Sequence, residues 1–125
     1  TCALPIYSNT GKLGATAALV HDKKIALEMC PSSNVQTGAT KSLADHPIDK
    51  LQKLGFAVTI NTDNRLMSGT SMSKEMEIVV DTFGWDFEKL EAATINAMNS
   101  AFISESERQE IIEKVIKPGF AKVKS

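Results

Sequence analysis

Phe56-Ala57-Val58-Thr59-Ile60-Asn61-Thr62-Asp63-Asn64 is an apolar, β-branched run that breaks off on an acidic residue. Such a run reads as a buried parallel strand. In barrel and open α/β architectures, the C-terminal ends of strands are where ligands and catalytic groups collect. Asp63 is therefore the first candidate for chemistry. A plainer role fits it too, because Asp and Asn favour turns and helix caps for local hydrogen-bonding reasons.

Working upstream, Gly55 closes a short helix that opens at Asp45-His46-Pro47 and carries Ile48, Leu51 and Leu54 on its apolar face. Before it, Ile25 to Cys30 reads as a second strand, halted by Pro31 and the polar loop Ser32 to Lys41. Gly11 to Lys24 suits a helix, with Leu13, Ala17 and Val20 on one side. Strand, loop, helix and strand in that order form a βαβ unit, so the two strands should be parallel.

Downstream of Asn64 the pattern is helical throughout. Met72, Met76, Val79, Val80 and Phe83 recur at helical spacing up to Gly84. Asp86 is placed to cap a helix whose face is Phe87, Leu90, Ala93, Ala97 and Ala101. Ser104-Glu105-Ser106-Glu107 has capping-box form, and Ile111, Ile112, Val115 and Ile116 line a last helix that Pro118-Gly119 should stop.

Composition sets limits without choosing a function. The chain has 125 residues, 42% of them apolar and 23% charged, which suits one globular domain. A net charge of -1 gives no electrostatic case for nucleic acid or an anionic membrane surface. No apolar run approaches the roughly 20 residues that span a bilayer. Cys2 and Cys30 are too few for a disulfide framework, which makes a reducing cytoplasm the expected compartment. His21 and His46 are the only histidines and form no His-x-His pair. Both read as structural or surface residues, with His46 on the side away from the strand C-termini.

Two parallel strands make a poor sheet on their own, since each keeps an unpaired edge. An α/β chain that ends in helices after an Asp-bearing strand fits the C-terminal portion of a (β/α)8 TIM barrel, a fold of about 250 residues. On that reading the chain holds the last two parallel strands with their flanking and C-terminal helices.

At this point the residues resemble a known family. Leu27-Glu28-Met29-Cys30-Pro31-Ser32-Ser33-Asn34, Thr37-Gly38-Ala39 and Thr59-Ile60-Asn61-Thr62-Asp63-Asn64 are similar, in order and spacing, to the closing third of adenosine deaminase. Ile95-Asn96-Ala97 with Ser100-Ala101-Phe102 is similar to that family's helix after the last strand. The resemblance covers roughly residues 11 to 123, and the run Asn61 to Ser68 looks like a bacterial subgroup. It implies a zinc-dependent hydrolase that converts adenosine and deoxyadenosine to inosine and deoxyinosine and releases ammonia. Zn²⁺ is the implied cofactor and a small nucleoside the implied partner. The resemblance leaves the oligomeric state open.

By the same resemblance Asp63 is the last zinc ligand and a catalytic residue. Asn64 stands where many relatives carry a second Asp that contacts purine N7. An amide donates to that acceptor without needing a proton, which a carboxylate would need. Ser33 and Thr37 follow the other strand, so their hydroxyls are candidates to steady Asp63 or a neighbouring ligand, with ordinary loop hydrogen bonding the plainer reading. The family's other zinc ligands, its N1-directed glutamate and its water-activating histidine have no counterpart here, so the chain alone is expected to be inactive. Thr1-Cys2-Ala3-Leu4-Pro5-Ile6 resembles translated sequencing-adapter DNA. Residues 1–8 are accordingly expected to be a non-native or disordered lead-in, and 9–125 the C-terminal part of a catalytic domain. A related adenine or AMP deaminase, or a non-catalytic helical interaction module, are the alternatives.

Overall fold

The computed structural model describes residues 13–124. The expected lead-in, residues 1–8, lies outside them, as do Cys2 and the Gly11-Lys12 end of the first expected helix. The chain runs α1 (Ala15–Asp22), β1 (Leu27–Met29), α2 (Pro31–Gln36), α3 (Ile48–Lys53), β2 (Val58–Ile60), α4 (Arg65–Ser68), α5 (Met72–Phe83), α6 (Phe87–Asn99) and α7 (Glu105–Ile111). A π-helical stretch, Ile112–Ile116, then leads into α8 (Lys117–Lys124).

β1 and β2 pair in parallel, with Leu27 opposite Val58, Glu28 opposite Thr59 and Met29 opposite Ile60. This is the expected βαβ unit. Val58, Thr59 and Ile60 are all buried, because α6 packs on β2 together with α3 and α5. A strand covered on both faces has no polar side to show, which explains its unbroken apolar reading. Around it Met29, Ile48, Leu51, Phe56, Val79, Trp85, Leu90 and Ala93 form the core. The outer edge of β2 is partly covered, since Asn96 Nδ2 on α6 donates to the Val58 carbonyl at 3.0 Å.

α5, α6 and α7 begin where local capping chemistry puts them. Ser71 accepts from Lys74 N at the start of α5, Asp86 from Lys89 N at the start of α6, and Ser104 and Glu107 form a reciprocal box at α7. Gly84 ends α5 at φ 66°, the left-handed conformation that glycine adopts without a Cβ penalty. Trp85, in the turn between α5 and α6, donates from Nε1 to Asp49 Oδ1 at 3.0 Å and so ties that turn to α3. Burial pushes the Asp49 carboxyl up. Hydrogen bonds from Lys53 and Trp85, with the charges of Lys53 and Lys89, outweigh that push and hold it below the usual carboxylate range.

Four expectations fail. The stretch after Cys30 is not all loop: Pro31 starts α2, where its missing N–H costs nothing. Pro118-Gly119 does not stop the last helix. The π stretch just before it, with Lys117 N bonding Ile112 O, shifts the register so that the chain passes the proline without an α-type clash and continues as α8. On α5, Met72 and Val80 are 40% and 36% exposed, whereas Glu75 and Val79 are the buried residues. Finally, His46 does not lie away from the strand C-termini. The helix of a βαβ unit must start near the C-terminal end of the preceding strand, and His46 is buried there against α2. Among the described residues, no helix is long and apolar enough to cross a membrane.

Candidate functional site

β2 ends at Ile60, and the chain turns through Asn61 and Thr62 to Asp63 at its C-terminal rim. Asp63 sits at φ 53°, in the left-handed region. Asp tolerates that conformation better than most residues with a Cβ. The turn lifts the Asp63 carboxylate out at the surface, over the start of α2. There the buried hydroxyl of Ser33 donates to Asp63 Oδ2 at 2.7 Å. Among the described residues nothing donates to Oδ1. The helix-cap role that the sequence left open for Asp63 falls to its neighbour: Asn64 Oδ1 accepts from Leu66 N and Met67 N, each at 3.1 Å, and caps α4.

That cap settles how the Asn64 amide is turned. Its oxygen faces the backbone N–H groups of α4, so its Nδ2 faces away from the helix as a donor. Thr37 is exposed and does not reach Asp63. Its hydroxyl donates to the Ser33 carbonyl at 2.8 Å, bracing the turn that carries Ser33.

α2 is bound to the segment running from Asp63 to Glu75 by three hydrogen bonds. Besides Ser33 to Asp63, Gln36 Nε2 donates to Ser68 O at 3.2 Å, and the Ser32 backbone N–H donates to Glu75 Oε2 at 3.0 Å. Behind them, Asn34 Oδ1 accepts from Cys30 N at 3.3 Å and from His46 Nε2 at 2.9 Å, while His46 Nδ1 accepts from Ile48 N. These partners require a neutral imidazole with its proton on Nε2. Burial pushes the His46 pKa down to about 4, against an opposing pull from Glu75. Cys30 lies between these groups. Burial pushes its thiol up, and the carboxylates of Asp63, Glu28 and Glu75 push it further. A protonated, half-buried thiol is a packing group rather than a nucleophile.

The arrangement suits a metal in one respect only. Asp63 presents a carboxylate that is steadied at one oxygen and open at the other, the state in which carboxylates ligate. Among the described residues, no three His, Cys, Asp or Glu side chains are placed to hold a metal ion together. A four-coordinate site would need donors beyond Asp63.

Glu75 and the Asn34–His46 pair escaped the sequence reading. Glu75 did leave a trace: it stands three residues after Met72 and four before Val79, on the helical face read as apolar. A charge on such a stripe is informative when buried, because it must be paired.

An adenosine deaminase family profile matches residues 13–118. The adenosine deaminase of Mycobacteroides abscessus is 60% identical over 112 residues, which cover 90% of this chain and 31% of that protein. The chain thus spans about 30% of the length of the curated relatives it matches. Among solved structures, an adenine deaminase from Arthrobacter aurescens superposes with a TM-score of 0.79 at 22% identity, over 87% of this chain and 33% of that one. An amidohydrolase from Burkholderia ambifaria with bound Zn superposes with a TM-score of 0.73 at 19% identity, over 84% and 29%.

Proposed function

This chain belongs to the adenosine deaminase family, and from that we propose that it forms the closing part of a (β/α)8 barrel that hydrolyses adenosine and deoxyadenosine to inosine and deoxyinosine. In that reaction water replaces the amino group on C6 of the purine and ammonia leaves. The observation that carries the reading is the rim after β2, where Ser33 braces the carboxylate of Asp63 beside the outward-facing amide of Asn64.

Asp63 would be one of the ligands of a Zn²⁺ ion through Oδ1, with Oδ2 spent on the Ser33 hydroxyl. When bound, zinc supplies the acidity that makes a water nucleophilic near neutral pH. The Zn in the Burkholderia ambifaria structure supports this cofactor. Asn64 donates from Nδ2 to purine N7. Because its oxygen is held by two backbone N–H groups, the amide cannot flip to present an acceptor without uncapping α4. The remaining ligands and the groups that move protons to and from the purine would come from residues outside the described ones. This chain then contributes binding and orientation: a carboxylate at fixed angle and a donor at fixed height.

Two experiments test the proposal. Expressed alone, the chain is expected to hold no stoichiometric zinc and to release no ammonia from adenosine. Spliced in place of the matching segment of the Mycobacteroides abscessus enzyme, residues 13–124 are expected to restore both. Asp63→Asn in that spliced enzyme keeps the Ser33 hydrogen bond but weakens metal ligation, so zinc content should fall well below one per chain. Full zinc occupancy in Asp63→Asn would overturn the assignment of Asp63.

A further inference from the structure

Glu75 is fully buried, at 0% exposure, and both of its carboxyl oxygens are engaged. Oε2 accepts from the Ser32 backbone N–H at 3.0 Å, and Oε1 accepts from the Thr70 hydroxyl at 2.5 Å. Its own helix does not need it, since Ser71 already caps α5. α2 has no side-chain cap of its own. The residue before it, Cys30, makes no side-chain cap bond, and Pro31 at the first position has no N–H. Ser32 therefore bears the first N–H without an intrahelical partner. Glu75 meets it from 43 residues away in sequence.

The next residue along α2 is Ser33, whose hydroxyl holds Asp63. We infer that Glu75 is a positioning residue for Asp63: it supplies the acceptor that α2 lacks and thereby fixes the angle at which Ser33 delivers its hydroxyl to the Asp63 carboxylate. Without that acceptor the first turn of α2 is free to fray, and the Ser33 side chain follows the backbone that carries it. Thr70 sets the carboxyl from its far side, so the line runs from Thr70 through Glu75 and the first turn of α2 to Asp63.

The inference rests on reading Asp63 as the working carboxylate, but its test is made without metal and stands or falls on the linkage. Nuclear magnetic resonance of the full 125-residue chain reads it directly. The side-chain carboxyl carbon of Asp63 is assigned by its loss in Asp63→Asn and followed in Ser33→Ala, Glu75→Gln and Glu75→Asp. In Glu75→Gln the neutral amide is the poorer acceptor. Hydrogen exchange at the Ser32 amide should accelerate by about tenfold or more, while protection in α6 and α7 stays unchanged. The Asp63 carboxyl signal should move toward its Ser33→Ala position, and Glu75→Asp, which keeps the charge on a shorter stem, should lie between. An Asp63 signal unmoved in Glu75→Gln, or exchange that accelerates uniformly along the chain, would overturn the inference. If Glu75→Gln does not fold, Thr70→Val, which leaves the Ser32 contact in place, should give a smaller movement of the same sign. No movement there overturns it equally. Loss or retention of zinc in the spliced Asp63→Asn enzyme judges the reading of Asp63 separately.

Discussion

At the scale of single residues the rim after β2 divides its labour between neighbours. Asp63 leaves one oxygen open, and Asn64 spends its oxygen on α4 and keeps its nitrogen. Asn64→Leu therefore removes two things together, a helix cap and a donor. In the spliced enzyme, kcat/KM for adenosine should fall by roughly 1–3 kcal/mol of transition-state binding, the cost of an acceptor left without its donor. Asn64→Asp separates the two losses, because a carboxylate caps α4 as well as an amide does but donates only when protonated. Its kcat/KM should rise toward acid relative to the parent. Equal pH profiles for the two enzymes would show that Nδ2 makes no contact with the substrate. The sequence made Asp63 legible because an acidic residue at the end of an apolar strand is a local signal. The turn of the Asn64 amide was not legible, since it depends on a four-residue helix too short to leave any periodicity.

Among the elements, the two caps that the sequence announced, Asp86 and the Ser104 box, are where the structure has them, whereas the stop at Pro118-Gly119 is not. Ser71, Asp86 and the Ser104 box start their helices because each cap is a bond between residues three apart. α2 escaped notice since Pro-Ser-Ser-Asn reads as loop, and its first N–H finds an acceptor only from α5. The same distance effect hides the bond from Trp85 to Asp49, which joins the α5–α6 turn to α3. Trp85 is 2% exposed, so Trp85→Phe loses both ring volume and the only donor of its indole. Its urea midpoint should drop by the equivalent of about 1–2 kcal/mol. Asp49→Asn keeps an acceptor for the indole and loses only the ion pairs with Lys53 and Lys89, at 2.6 and 3.7 Å. That change should cost less than about 1 kcal/mol. If the two variants are equally destabilised, the charge of Asp49 rather than its bond to the indole carries the stability of this contact.

For the whole molecule, the parallel pairing of β1 and β2 was legible because a strand, a helix and a second apolar strand leave little topological freedom. The link from the start of α3 to α2 through His46 and Asn34 was not, because it is a bond between residues 12 apart that leaves no local pattern. His46 is 3% exposed, and its Nε2–H donates to Asn34 Oδ1 while Nδ1 accepts from the Ile48 N–H; protonation keeps the first bond and abolishes the second. Burial lowers its pKa from an ordinary 6.5 to about 4 in the folded chain, although the nearby Glu75 charge pulls the other way. The unfolded chain therefore binds a proton between those two values that the folded chain refuses. Stability gains the full contribution above pH 6.5 and loses it as pH falls toward 4, by at most about 3 kcal/mol. His46→Gln can still donate to Asn34 but does not titrate. Urea unfolding of both chains across this range should give curves that run parallel above pH 6.5 and converge below it, as the parent loses what the variant never had. A constant gap between them at every pH would mean that His46 is not held neutral in the folded chain.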